Sequence, residues 1–463
     1  MSNFNKKVKP FGMADKIGYM FGDFGNDFTF ILSSSFLLKF YTDVMGVDAT
    51  IVGLMMMVSR IVDAFTDVAM GQICDRSKGT EKGKFLPWIR RVCGPVALAS
   101  FLMYANWFAD MPMAFKIFWM FFTYLLWGSI CYTGINIPYG SMASAISAEA
   151  KDRAELSSWR TIGATLANMV IGVILPLVVY YTNESGHTVL SGSKMMYAAL
   201  ICSILAVVCY IICYTLTTER VKVGQTTDKF NLIDMFKYLV SNRALIGIVL
   251  AALMLLVSNL TLTGMGNYIY PNYFGNKEAL STANMISSCL VIGLSFIMAP
   301  IYAKFGKKEL ATGGSLVAAV ALGILYVLHT ESVVVWIALY IVVYLGMAMF
   351  NIGCWAMITD VIDDTEVRTG QRADGTIYAV YSFARKMGQA ASSGLTGALL
   401  GFVGYSTATA FDKNVVDGIY NITCLVPLVG FVLLALALIF VYPLNKKKVE
   451  ANIAFLKEKR ENK

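Results

Sequence analysis

The chain has 463 residues, of which 57% are hydrophobic and only 15% charged, and its mean hydropathy is +0.61. A soluble domain carries roughly 25% charged and about 45–50% apolar residues, so this composition excludes a water-soluble globular protein and makes lipid the solvent for most of the chain. The net charge of +8 does not indicate a nucleic-acid partner, because the basic residues fall in short clusters between long apolar runs, the pattern that orients a membrane protein.

Enzyme chemistry finds no support either. The nine cysteines are scattered, mostly in apolar segments (Cys202, Cys209, Cys213, Cys289, Cys424), and none has C-x-x-C spacing. They read as small core hydrophobes. The two histidines, His187 and His329, fall in expected outside loops, which excludes a histidine-based metal site or triad. There is no nucleophile–base pair, Gly-rich phosphate loop or metal cluster, and no cofactor is expected. The polar, basic start (Lys6, Lys7, Lys9, Lys16) precedes an apolar stretch too long for a signal peptide, so no cleavable signal is expected.

A spanning helix needs about 20 mostly apolar residues. The hydropathy predicts such helices over 17–43, 49–74, 86–107, 114–146, 156–182, 192–217, 243–273, 279–303, 309–329, 333–361, 373–404 and 416–443. The expected class is therefore all-α, a polytopic membrane protein with about twelve spans. The runs are too long and too uniformly apolar for the alternating strands of a barrel. Alternate loops are basic: 1–16, 75–91, 147–160, 219–243, 304–308, 362–372 and 444–463. The other set holds only Lys277 and Lys413. Basic loops stay cytoplasmic, which puts both termini inside and demands an even number of spans.

The chain divides into a cytoplasmic N-terminus (1–16), a six-helix bundle (17–218), a cytoplasmic middle loop (219–242), a second six-helix bundle (243–443) and a basic tail (444–463). Within the middle loop, 231–240 is expected to lie amphipathically on the inner surface. A faint repeat supports the division. Gly71-Gln-Ile-Cys-Asp75-Arg76-Ser-Lys78-Gly79 follows the second span, and Ala299-Pro-Ile-Tyr-Ala-Lys304-Phe-Gly306-Lys307-Lys308 follows the eighth. Two matching halves around a midplane site are a transporter architecture.

Ionisable residues inside spans are expensive and mark function. In the first span Asp23 and Asp27 share a face at i, i+4. Asp27 lies deeper and suits sugar hydroxyls, since hydrogen bonds to a carboxylate are strong and directional; Asp23 reads as packing or gating. Lys39 is expected to snorkel to the outer boundary. In the second span Arg60, Asp63 and Asp67 share a face at i, i+3 and i+7. Arg60 can pair with one acid in a structural or gating role, which leaves the other for a small cation, a hard ion that prefers carboxylate oxygens, or for a proton. Asp75, just beyond, is a further gating or structural charge.

The fourth span carries Tyr132, Thr133, Asn136 and Pro138. Asn136 can donate to and accept from a hydroxyl-rich ligand, and equally can hold two helices together. Arg160 opens the fifth span, where a cation by itself reads as a boundary marker. Trp355 in the tenth span is either an aromatic platform or a packing residue. The eleventh span carries Arg385 and Lys386, about 100° apart on a helix. The expected arrangement has Lys386 facing the cavity and Arg385 paired elsewhere, with Asp360 or Asp364.

Six segments carry a more specific signal: Lys16-Ile-Gly-Tyr-Met-Phe-Gly-Asp-Phe-Gly-Asn-Asp27-Phe, Tyr41-Thr-Asp-Val-Met-Gly46, Arg60-Ile-Val-Asp63-Ala-Phe-Thr-Asp67, Gly83-Lys84-Phe-Leu-Pro-Trp88, Tyr132-Thr-Gly-Ile-Asn-Ile-Pro-Tyr-Gly-Ser141 and Arg372-Ala-Asp-Gly-Thr-Ile-Tyr378 running on to Lys386. Together they span nearly the whole chain. In them the sequence resembles the glycoside–pentoside–hexuronide:cation symporter family, the melibiose permease group within the major facilitator superfamily. The resemblance implies a cation site at Asp63 and Asp67, with Thr133 as a neutral ligand; the two acids are the metal ligands if the ion is sodium. It implies sugar contacts from Asp27 and Arg160 in one half and from Trp355 and Lys386 in the other; Asn136 is a substrate-binding candidate on its residue type alone.

The sequence departs from the melibiose-type pocket at Asn136, where that group has an acid, and at Gly140, where it has a Trp. Ser382-Phe-Ala-Arg385-Lys386 looks more like the glucuronide-carrier branch, and an extra base would suit a uronic acid carboxylate. The expectation is symport of a glycoside, pentoside or hexuronide with Na+ or H+ by alternating access. A monomer would do this in the cell membrane, with the bilayer as its other partner. The alternatives are an uncoupled sugar facilitator and a lipid-transporting member of the same superfamily.

Overall fold

The computed structural model describes residues 10–221, 239–370 and 374–461. The expected surface segment at 231–240 falls largely outside them, as do Arg372 and the Asp75 side chain.

Helices occupy all twelve expected positions. They are α1 (Met13–Asp43), α2 (Ala49–Arg76), α3 (Leu86–Leu102), α4 (Met113–Ile146), α5 (Ala150–Met169, continuing to Val179), α6 (Gly192–Leu216), α7 (Arg243–Tyr273), α8 (Lys277–Phe305), α9 (Lys307–Leu328), α10 (Val333–Thr369), α11 (Asp374–Phe402) and α12 (Lys413–Val441). The basic tail adds α13 (Lys446–Glu461). Nine of the described helices are long and apolar enough by themselves to cross a bilayer. The others expected to do so depart for visible reasons. α1 carries Asp15, Lys16, Asp23, Asp27 and Lys39, α3 has only 17 residues, and α11 carries Arg385, Lys386 and Gln389 among many Gly, Ser and Thr residues. A short hairpin, β1 (Tyr180–Thr182) with β2 (Thr188–Leu190), replaces the plain loop expected between α5 and α6.

The described parts of Met1–Val47, Val62–Tyr181 and Leu190–Lys229 form one compact unit, and those of Asp48–Ile61, Thr182–Val189 and Phe230–Lys463 form another. In the first, α1 packs on α5 and α6, and α3 on α4 and α6. In the second, α9 packs on α10 and α12, and α7 on α11 and α12.

Glu219, just past the end of α6, closes one end of the first unit. Its carboxylate accepts from the backbone N–H of Lys84 (2.7 Å), Phe85 (2.9 Å) and Leu86 (2.7 Å). These are donors at the start of α3, which have no acceptor within the helix and sit at its positive dipole end. Gly83 is required here. Its φ is +119°, and a Cβ would collide with the Glu219 carboxylate. Burial pushes the Glu219 carboxyl above its ordinary range, against the pull of the three N–H groups.

Arg220 adds a two-pronged grip on buried Asp15 of α1, at 3.0 and 2.8 Å, and Lys16 pairs with Glu155 of α5. The Gly83–Trp88 segment is thus the socket for a clasp that ties α6 to α1 and α3. Glu219→Ala leaves three donors unanswered, at about 1–3 kcal/mol each where they stay dry. We expect the thermal unfolding midpoint in detergent to fall by several degrees, with Glu219→Gln falling less. An unchanged midpoint in the alanine variant would show that the clasp adds nothing.

Candidate functional site

The polar residues of the first unit gather where α2 meets α4 and where α1 meets α4, α5 and α6. On α2, Asp63 is buried (1% exposed) and Asp67, one turn on, is half-buried. Opposite them, α4 carries Ser129 and Thr133, also one turn apart. Ser129 Oγ donates to Asp63 Oδ1 at 2.6 Å, and Thr133 Oγ1 donates to Asp67 Oδ1 at 2.6 Å.

Local geometry of α4 makes the two rungs possible. Leu126–Tyr132 is π-helical, and such a stretch widens the turn and reorients the side chains beyond it. Gly128 lets α4 approach: a Cβ there would sit 3.1 Å from Asp63 Oδ1. The result is a ladder of two carboxylates and two hydroxyls, all hard oxygen ligands. Among the described residues no three His, Cys, Asp or Glu side chains gather as a metal cluster. Arg60, one turn before Asp63, is buried at 2% exposure.

On α1 the two acids have different surroundings. Asp23 is buried and accepts from Arg160 Nε at 2.9 Å. The Arg160 guanidinium lies 5.5 Å from the Tyr139 ring centre. Tyr139 stacks on Tyr19 at 4.6 Å and donates its hydroxyl to the Tyr19 carbonyl at 2.7 Å. Arg160 is therefore held inside the unit, although 44% of its side chain remains accessible. Asp27, one turn further along α1, is half-buried and has no hydrogen-bond or ion-pair partner among the described residues. It lies close enough to Asp23 and Arg160 to feel both charges. Asn136 Oδ1 accepts from Asn26 Nδ2 at 3.4 Å, and Asn26 Oδ1 accepts from the Tyr210 hydroxyl at 2.8 Å.

Lys39 corrects an expectation. It does not snorkel. It is buried at 1% exposure and meets Asp43 at 2.9 Å; a counter-charge one turn along the same helix removes the need to reach water.

The second unit holds the other candidates. Trp355 on α10 is 41% exposed and stacks on Tyr378 of α11 at 5.2 Å. Arg385 lies 5.4 Å from the Trp355 ring and 5.9 Å from the Tyr381 ring, both within cation–π range. Neither acid expected to pair with Arg385 does so. Asp360 meets Lys307 at 2.6 Å. Asp364 meets Arg368 at 3.3 Å and Asn452 of α13 at 3.1 Å. Lys386 is half-buried.

Sequence reading missed Ser129, Asn26, Tyr139 and Tyr210. One signal was available for Ser129: it precedes Thr133 by the same four residues that separate Asp63 from Asp67.

A family described as MFS/sugar transport protein matches residues 18–446. The glucuronide carrier protein homolog of Escherichia coli K12 is 30% identical over 435 residues, covering 93% of this chain and 93% of that one. The isoprimeverose transporter of Lactiplantibacillus pentosus is 29% identical over 451 residues, covering 96% and 91%. The crystal structure of a D-xylose-proton symporter has the same fold, with a TM-score of 0.62 over 93% of this chain and 96% of that one at 13% identity.

Proposed function

The chain belongs to the MFS/sugar transport protein family; it is a multi-pass sugar transporter of the major facilitator superfamily and not an enzyme, and we propose that it couples sugar movement to Na+ or H+. The observation that carries the coupling is the α2–α4 ladder. Two carboxylates one turn apart on a membrane helix, each held by a hydroxyl at 2.6 Å, form a compact oxygen site for a small cation or a proton.

The sugar site is proposed beside it on α1. Asp27 offers a carboxylate that no donor among the described residues occupies, and Arg160 and Asn136 offer donors from α5 and α4. Paired hydroxyls of a sugar supply what those groups lack. Trp355 and Lys386 are proposed as further sugar-binding residues, with Arg60, Asp75 and Asp23 as structural or gating charges. Coupling then requires that each ligand favour the other's binding by the same factor. The alternation of basic and neutral loops supports a cell-membrane protein with both termini in the cytoplasm, working as a monomer. Relatives named for glucuronide, isoprimeverose and sulfoquinovose support a glycoside, pentoside or hexuronide as cargo.

The test is uptake of radiolabelled glycosides by proteoliposomes under an imposed sodium or pH gradient. We expect transient accumulation above equilibrium with one gradient. Equal uptake with and without both gradients would remove the coupling. A narrower test is Ser129→Ala, which deletes one rung. A hydrogen bond to a charged group contributes about 1.5–3 kcal/mol, so the cation concentration for half-maximal uptake should rise about tenfold or more. No change there would take Ser129 out of the site.

A further inference from the structure

The two units are tied differently at the end where α6 and α12 finish. In the first, the Glu219 carboxylate, three residues past α6, fills the space at the start of α3. In the second, Leu444 stands three residues past α12 and brings no charge. Lys308 Nζ donates to the Tyr442 carbonyl at 2.6 Å, Lys446 Nζ to the Lys304 carbonyl at 3.0 Å, and the Lys446 N–H to Glu309 at 3.1 Å. Beside these ties, against α13, lies a cavity of about 360 Å³. Ala299, Ala303, Met357, Leu444, Val449 and Ile453 give it apolar walls, and Lys307, Lys308 and Lys446 line it as well. Asp360 answers Lys307 at 2.6 Å, and Glu450 lies 3.7 Å from Lys446. Lys308 has no ion-pair partner among the described residues and stands between the charges of Glu309 and Arg243. An ammonium group has three donors, and Lys308 gives one to a carbonyl. The tail helix adds a second observation. Asn452 and Leu456 of α13 are buried, yet Ile453 and Phe455 are 52% and 49% exposed among Lys446, Lys447, Lys448, Lys457 and Lys459. Exposed apolar residues set among lysines suit the boundary between lipid headgroups and acyl chains.

We propose that this cavity binds an anionic phospholipid of the inner leaflet, its phosphate on Lys308 and Lys446 and part of an acyl chain in the apolar hollow. The two kinds of lining select the ligand together. A soluble phosphate ester answers the lysines and leaves the apolar walls wet. An uncharged lipid covers the walls and leaves the lysines unanswered. Basic recesses between helices on the cytoplasmic side of a membrane protein collect acidic headgroups for the same reason. Bound there, the lipid bridges α8, α9, α10 and α13 and holds the tail helix on the second unit. The assignment rests on the orientation proposed above, which puts the tail in the cytoplasm.

The experiment titrates the full-length protein, delipidated in detergent, with dioleoyl phosphatidylglycerol or dioleoyl phosphatidylcholine and counts bound lipid by native mass spectrometry. We expect the wild type to bind phosphatidylglycerol about 30-fold more tightly, and an excess of glycerol 3-phosphate not to displace it. Lys308→Gln with Lys446→Gln keeps a donor for each carbonyl and should remove that preference while leaving phosphatidylcholine binding unchanged. Lys78→Gln with Lys82→Gln removes the same charge from the first unit and should alter neither. Ala303→Phe fills the hollow with both lysines in place and should weaken phosphatidylglycerol about tenfold. Equal wild-type affinities for the two lipids would overturn the proposal, and so would equal losses in the two lysine pairs. Displacement by glycerol 3-phosphate would make this a site for a free phosphate, and unchanged affinity in Ala303→Phe would take the acyl chain out of the cavity; either result overturns the lipid assignment. An antibody that reaches a tag placed after α13 from outside intact cells would sink the orientation, and the inner leaflet with it, whatever the binding in detergent. Sugar transport stands in every case.

Discussion

Asp63→Asn abolishes gradient-driven accumulation and leaves downhill exchange of sugar intact. Asp63 is the most enclosed carboxylate of the α2–α4 ladder, and Ser129 is already committed to it at 2.6 Å. An amide keeps the shape and can still accept the Ser129 hydrogen bond, so the packing of α2 against α4 survives. What disappears is the negative charge, in surroundings where water does little to replace it. A loss of at least 100-fold in cation affinity, about 2.8 kcal/mol, is expected. Asp67→Asn should be milder, because Asp67 is half-buried and better screened. Entrance counterflow measured beside uptake against a gradient separates the two activities. Full accumulation in Asp63→Asn would remove that acid from the coupling site.

Asp27→Asn gives the second large effect, on the sugar rather than on the cation. Asp27 has no hydrogen-bond or ion-pair partner among the described residues, so the substitution breaks no bond to them and should leave the unfolding midpoint where it is. Its two carboxylate oxygens are free to accept paired hydroxyls, and charge-assisted bonds of that kind are roughly twice as strong as neutral ones. Sugar affinity should fall about 100-fold. Asp23→Asn is the instructive contrast. It breaks the 2.9 Å pair with Arg160 and should lower stability as well as affinity. Equilibrium binding of a nitrophenyl glycoside and a thermal melt, run on both variants, check this. Unchanged sugar affinity in Asp27→Asn would end its assigned role.

Much of this was open to inspection in the residues themselves. Asp63, Asp67 and Thr133 were expected near one another and are joined across α2 and α4. Asp23 and Asp27 were expected on one face; Asp23 pairs with Arg160, and Asp27 has no hydrogen-bond or ion-pair partner among the described residues. Arg160 alone read as a boundary marker, and only the packing of α5 against α1 shows it turned inward to Asp23. Lys39 read as snorkelling and is buried against Asp43. Arg385 was expected beside an acid and lies instead on aromatic rings.

The sequence by itself marked about twelve helical segments and nearly where each begins and ends. A hydrocarbon layer about 30 Å thick requires about 20 apolar residues per span and leaves the backbone no choice but the helix. It also determined which spans carry charge, because each such residue stands out against an apolar background. Only the tertiary structure decided which partner each charge takes. That choice depends on the rotation of one helix about its axis relative to the next, and a single π-helical turn such as Leu126–Tyr132 changes that rotation without any local mark in composition. The pairing of Ser129 with Asp63, and the isolation of Arg385 from Asp360 and Asp364, are consequences of packing between segments far apart in the chain.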